Sequence, residues 1–294
     1  MVGAEGEAAY GKRYIEEAKG WEDVCKKAGV PSKVIGTAPE VKDKPDVELL
    51  KAALQSHAEK PARPLWLILI GHGTFDGREA KFNLRGPDIR PEDLATSLKP
   101  LTGNVACIQT ASASAPFVKA LAGPNRVLIS ATKSADEVFY TRFGQFFIKA
   151  VSGAPEADLD RDNQVSLLEA FLWSSRQVDR FFETEQRLAT EHAIIEDNGD
   201  GTGARAAEFA GVRLATPPTE GKTPEGQLAR QWSLLLSDAD AQLTEAQRQR
   251  RDALERDIES LKAKRKDLGE EEYYKKLEAL LLDIAKLYAD EKGT

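Results

Sequence analysis

The sequence of 294 residues has only two cysteines, Cys25 and Cys107, and three histidines. Two cysteines can build neither a disulfide framework nor a thiolate zinc site. No run approaches the roughly 18 apolar residues that a membrane-spanning helix needs; the longest, Leu65 to Ile70, is the length of a strand. A basic excess is also missing. With 41 Lys+Arg against 48 Asp+Glu the net charge is −7, so nothing provides the phosphate neutralisation on which nucleic-acid binding depends. The opening Met1 to Gly6 has no charged n-region and no apolar h-region, so no signal peptide is expected within this chain. What is there is globular: 41% hydrophobic and 30% charged residues, too apolar for a wholly disordered chain.

The charge is unevenly spread. Of the last 70 residues 29 are charged, against 60 of the first 224. Two compositions in one chain predict two structural units. Between them, residues 216–226 carry three prolines and two glycines and read as a linker. Beyond it, Leu254, Ile258, Leu261 and Leu268, then Leu277, Leu280, Ile284 and Leu287, recur at spacings of three, four and seven. Such seams belong to helices that pack on a partner, and Gly269 marks a break between them. The expectation for residues 227–294 is a charged helical hairpin. Its apolar seam is satisfied within the chain or, as a coiled coil, by a protein partner or a second copy. Trp232 and Leu234 to Leu236 form a third cluster suited to packing on the main domain.

Before the linker, strand and helix signals alternate. Strands are expected at residues 33–38, 65–70, 104–109 and 126–131, and helices at 10–28, 47–58, 91–98, 116–122, 141–151 and 166–185. This rhythm predicts an α/β fold, a mostly parallel sheet flanked by helices, with the C-terminal α-helical hairpin appended. Val2 to Ala4 reads as the end of a strand entering a turn. It predicts an upstream strand outside this chain, with room for an export signal, so localisation stays open. In parallel sheets, ligand and catalytic groups gather where the carboxyl ends of strands meet loops. Gly71-His72-Gly73 and Thr110 to Ser114 occupy two such ends.

An apolar strand ending in His-Gly, followed by a strand ending in Gln109-Thr110-Ala111-Ser112-Ala113-Ser114, resembles the caspase–legumain superfamily of cysteine peptidases (clan CD). The excursion between them, with a turn at Arg85 to Asp88 and a helix near Pro91 to Leu98, fits the same pattern. The resemblance covers roughly residues 1 to 190 and rests on the order of the elements. It implies that His72 stands where the family has its catalytic histidine, and that Ala111 stands near the position of the nucleophilic cysteine. Cys107 lies too early, inside the strand. Alanine cannot form the thiolate that the family's reaction requires, so a domain without peptidase activity is expected. The alternative is a divergent hydrolase in which His72 activates a hydroxyl, Ser112 first among Thr110, Ser112 and Ser114. No acidic residue is evident in the sequence to orient His72. An α/β-hydrolase is excluded because no Gly-x-Ser-x-Gly elbow occurs.

The strongest chemical pattern is Asp158-Leu-Asp160-Arg-Asp162-Asn-Gln164-Val-Ser166-Leu-Leu-Glu169. Oxygen donors fall at loop positions 1, 3, 5, 7, 9 and 12, with the backbone of Gln164 at position 7 and apolar Val165 at position 8. This is the spacing of an EF-hand calcium loop, whose alternating hard oxygens surround the ion. Asn163 replaces the usual glycine at position 6, where it can adopt the left-handed turn. A second candidate begins at Glu196, with Asn198 and Asp200 at positions 3 and 5 and Gly201 at 6. Its twelfth position is Ala207, so the closing carboxylate is missing, although Glu208 is adjacent. His192 reads as a structural hydrogen-bonding residue, and His57, late in a polar helix, has no functional case. Taken together, the expectation is a calcium-binding, caspase-like pseudo-peptidase over residues 1–215, serving as a binding or scaffold module.

Overall fold

Strand register explains how the sheet divides the core. A computed structural model describes residues 1–39, 44–59, 64–216, 223–265 and 267–289. In chain order its main elements begin with α1 (Ala8–Lys27), α2 (Asp46–Glu59), β1 (Leu65–Leu69), β2 (Gly73–Phe75) and β3 (Ala80–Phe82). Then come α3 (Pro91–Leu98), β4 (Val105–Gln109), α4 (Ala115–Leu121), β5 (Arg126–Ser130), α5 (Phe143–Val151) and α6 (Leu167–Thr184). The first unit closes with the short strands β6 (Ile194–Glu196), β7 (Ala204–Arg205), β8 (Phe209–Ala210) and β9 (Arg213–Leu214). The sheet order is β1-β4-β5-β6-β7. The first three strands run parallel, and β6 and β7 join antiparallel.

Successive side chains of a strand point to opposite faces, and here both faces are covered. Ala106, Ile108, Val127 and Ile129 join a core with Trp21 of α1, Phe143 and Phe147 of α5 and Phe171 of α6. Val105, Cys107, Leu67 and Leu128 join the opposite core with Leu50 of α2, Leu94 of α3 and Phe117 of α4. β4 is buried at all five positions, which is why it reads as an uninterrupted apolar run. Each fully buried Phe or Leu contributes roughly 1.5–3 kcal/mol.

Most expected elements are present close to their expected bounds. Residues 33–38 are the exception and form no strand, although Val2 N donates to Ile35 O at 2.8 Å. Val2 bridges Ile70 in parallel, and the Met1 amine donates to Ile68 O at 2.9 Å. The first residues therefore lie along β1, as their strand-like character suggested.

The chain divides into two compact units after Leu235, later than the expected linker. Residues 217–222 of that linker lie outside the described residues. Glu225 and Gly226, however, are buried within the first unit, while Trp232 enters its core with Leu234 and Leu235 packed alongside. The second unit contains α7 (Asp238–Gln242), α8 (Glu245–Ala263) and α9 (Glu270–Ala289), with α8 and α9 packed together. Leu254, Ile258 and Leu261 are buried. Leu277, Leu280, Ile284 and Leu287 are half-buried, while Leu281 and Leu282 are exposed. The break between the two long helices falls around Gly269, as its conformational freedom led us to expect. No helix among the described residues is long and apolar enough to cross a membrane.

Candidate metal centre and the His72 corner

The loop from Asp158 to Ser166 enters through a single 3-10 turn, Pro155–Ala157, rather than directly from α5, which stops at Val151 before Gly153. Its exit is sharply defined. Ser166 caps α6 in a capping box: its hydroxyl accepts from Glu169 N and donates to Glu169 Oε2 at 2.9 Å. Leu167 N donates to Trp232 O at 2.8 Å, and Ser166 bridges Ser233. Val165 turns into the core.

Within the loop, Asp158 accepts from Asp162 N and Asn163 N, each at 3.1 Å, and Asp162 accepts from Gln164 N at 3.0 Å. Arg161 and Asn163 take left-handed conformations, with φ of 64° and 67°. Asparagine thus meets the turn requirement at the position where the motif prefers glycine. The result brings one carboxylate oxygen each from Asp158, Asp160 and Asp162 within 4.8 Å of one another. Burial raises the pKa of Asp160, and the negative charges of Asp162 and Asp158 raise it further. Three carboxylates at this separation repel, so they favour a divalent cation.

Other expected ligands are engaged elsewhere. The Gln164 side-chain amide donates to Asp162 Oδ2 at 2.9 Å. Its backbone carbonyl is the part that the motif uses. Glu169 is 1% exposed and accepts four hydrogen bonds. Leu159 N (2.7 Å) and Asp160 N (3.1 Å) donate to Oε1, while Ser166 N and Ser166 Oγ donate to Oε2 (both 2.9 Å). It therefore staples the loop to α6, and joining the three aspartates requires it to release backbone donors.

At the second loop, Glu196 Oε1 accepts from Gly199 N at 2.6 Å and Gly201 N at 3.3 Å. Asn198 is engaged locally: Oδ1 accepts from Asp200 N and Nδ2 donates to Thr223 O at 3.1 Å. Glu208 pairs with Arg205 at 3.3 Å. The carboxylate that does approach Glu196 and Asp200 is Glu225. Sequence reasoning passed over it because it lies in a Pro/Gly-rich stretch with no ligand spacing, and no local signal marks it.

The structure places His72 and the Thr110 to Ser114 turn at the carboxyl ends of adjacent parallel strands, as expected. It does not assemble a hydroxyl–imidazole pair. Ser112 Oγ accepts from Gly73 N at 3.1 Å and donates to Gly73 O at 2.9 Å, in a site 1% exposed. Ser114 Oγ lies 2.7 Å from Ser130 Oγ and 3.0 Å from Thr132 Oγ1, fully buried. Thr110 Oγ1 donates to Glu17 at 3.0 Å. Ala111 is 0% exposed. The thiol of Cys107 is buried inside β4 and pushed up to about 12, far from a reactive thiolate.

The His72 ring makes no hydrogen bond among the described residues. It lies edge-on to Tyr10, with centroids 4.9 Å apart, and to Tyr14 and Tyr140 at 5.8 and 6.0 Å. Burial lowers its pKa, which favours the neutral ring. The glycine beside it has a packing reason: a Cβ on Gly73 would stand 2.1 Å from Ser112 O. His192 Nδ1 lies 2.5 Å from Glu137 Oε1, and His57 sits in the last turn of α2.

Compared with known proteins, the chain matches no family model and no curated protein sequence.

Proposed function

We propose that residues 1–215 constitute a calcium-binding, caspase-like domain without peptidase activity, which acts as a binding or scaffold module. The observation that carries the calcium assignment is the approach of the Asp158, Asp160 and Asp162 oxygens within 4.8 Å, on a loop with a left-handed Asn163. Calcium takes six to eight hard oxygens, and the remaining donors on this chain are the Gln164 carbonyl and Glu169 after rotation. Its role is to neutralise the loop where it leads into α6, so the cation is structural.

The absence of peptidase activity rests on chemistry. The position that corresponds to the family's nucleophile is a buried alanine, Cys107 is locked in a strand, and the neighbouring hydroxyls are bound to backbone or to one another. A hydrolase built on His72 and Ser112 would need that hydroxyl delivered to the imidazole, and Ser112 instead holds Gly73. The helical tail then supplies a surface for a protein partner or a second copy.

The test is calorimetric titration of the full chain with calcium, alongside melting in calcium and in chelator. At a calcium concentration one hundred times Kd, linkage gives about 2.7 kcal/mol. For a unit of this size that is a rise of roughly 5–10 °C in Tm. The paired variant Asp160→Asn with Asp162→Asn should abolish binding at this loop and reduce the shift. No calcium heat and no shift would remove the calcium assignment. Hydrolysis of a broad peptide and ester panel that disappears in His72→Ala would overturn the non-enzymatic one.

A further inference from the structure

Among the described residues of the first unit, two carboxylate oxygens are buried without a donor. Glu196, at the end of β6, is 0% exposed, and its Oε2 has no hydrogen-bond partner among the described residues. Glu225 is 8% exposed. Its Oε2 accepts from Asp197 N at 2.7 Å, while its Oε1 receives no donor among the described residues. Desolvating a carboxylate oxygen without compensation costs several kcal/mol, so such orphans require an explanation. Asp200 is exposed, and the three residues each place a carboxylate oxygen within 4.8 Å of the others.

We propose that Glu196, Asp200 and Glu225 form a second site for a hard divalent cation of the calcium type. The geometry resolves the defect that the sequence left in the second loop. Positions 1 and 5 are occupied by Glu196 and Asp200, and the closing carboxylate missing at Ala207 arrives from Glu225, brought across by the fold. Carboxylate oxygens are the ligands such ions take. A cation bound by these carboxylates would offset the charge that Glu196 and Glu225 bury.

The rival occupant is a proton. Burial, then the adjoining Asp197 carboxyl, push the pKa of Glu225 up. A proton can relieve one carboxylate. It does not supply a donor to Glu196 Oε2 if it sits between Glu225 and Asp197, whose own oxygens accept from Gly226 N at 2.7 Å and Ala229 N at 2.8 Å. Structurally, the cation would anchor residues 225–229 onto β6. That segment continues to Trp232 and Ser233, which pair with Leu167 and Ser166 at the exit of the first loop.

The experiment uses the full chain with the first loop silenced by Asp160→Asn and Asp162→Asn, so that it succeeds or fails independently of that site. Calcium is titrated calorimetrically, with manganese relaxation as a second probe. One remaining site is expected. Adding Glu225→Gln should weaken it at least tenfold, and Asp200→Asn should weaken it even if Glu225→Gln disturbs folding. A silenced chain that binds neither ion overturns the proposal. So does a chain whose chelator-treated Tm rises with Glu225→Gln while no ion binds, because a proton would then account for the cluster. Ion binding unchanged by both variants also overturns it.

Discussion

Replacing Glu169 by glutamine separates the carboxylate's role in the fold from any role in binding. In the structure it accepts four hydrogen bonds in a site 1% exposed. Glutamine keeps one oxygen, which can serve Leu159 N and Asp160 N. Its NH2 then faces Ser166 N, and two donors cannot satisfy each other. Leaving one buried N–H unsatisfied costs about 1–3 kcal/mol, and the bonds that survive lose their charge assistance. Against this, burial raises the pKa of Glu169, so the neutral amide recovers part of the desolvation cost. The net expectation in chelator is a loss of about 2–3 kcal/mol. The assay is urea unfolding followed by tryptophan fluorescence. All four tryptophans, Trp21, Trp66, Trp173 and Trp232, precede Leu236, so the signal reports the first unit. Asp162→Asn, which is exposed, should change stability by less than about 0.5 kcal/mol under the same conditions. If Glu169→Gln were equally silent in chelator, the carboxylate would not be the staple that holds the loop to α6.

Three further outcomes follow from the same geometry. Ser112→Ala deprives Gly73 of both its N–H acceptor and the donor to its carbonyl, and should cost about 1–3 kcal/mol, measured by urea unfolding, with no change in any hydrolytic assay. Glu191 accepts from Arg142 N (2.8 Å) and Phe143 N (3.1 Å) at the start of α5, yet burial pushes its pKa from 4.5 to about 7. The folded state therefore binds the proton more tightly, so this contribution is complete below pH 4.5 and is lost as pH rises through 7. It is worth up to about 3 kcal/mol, and Glu191→Gln should flatten that slope in pH-dependent unfolding. In the second unit, Arg251 is buried and pairs with Asp240, with Asp252 at 2.7 Å. Arg251→Ala takes the cation away from the buried Asp240 carboxylate and should destabilise the helical tail by about 3–5 kcal/mol, read as helicity by circular dichroism.

Elements with a strong local cause are legible in the sequence. The buried run of β4 and the start of α6 after Ser166 appear close to where spacing and residue type place them. The clustering of Asp158, Asp160 and Asp162 is legible for the same reason, since oxygen donors at fixed offsets on one short curve are a local pattern. Asn163 even takes the left-handed turn that its position demands. Local spacing alone could not reveal competition for those ligands. Glu169 is drawn onto backbone donors and Asn198 onto Thr223 O, because a folded loop offers nearer partners than a motif describes.

The sequence by itself determined the alternation of strands and helices, the charged tail and the absence of a cysteine at the strand end following His72. Each follows from composition or periodicity within a window of a few turns. Only the tertiary structure decided which groups meet across long separations. It turned the Ser112 hydroxyl to Gly73, surrounded His72 with Tyr10, Tyr14 and Tyr140, and carried Glu225 to Glu196 and Asp200. The physical reason is that a hydrogen bond or a shared ligand site depends on distances of a few ångströms. Those distances are set by packing across the sheet and by the return of the chain through residues 223–235.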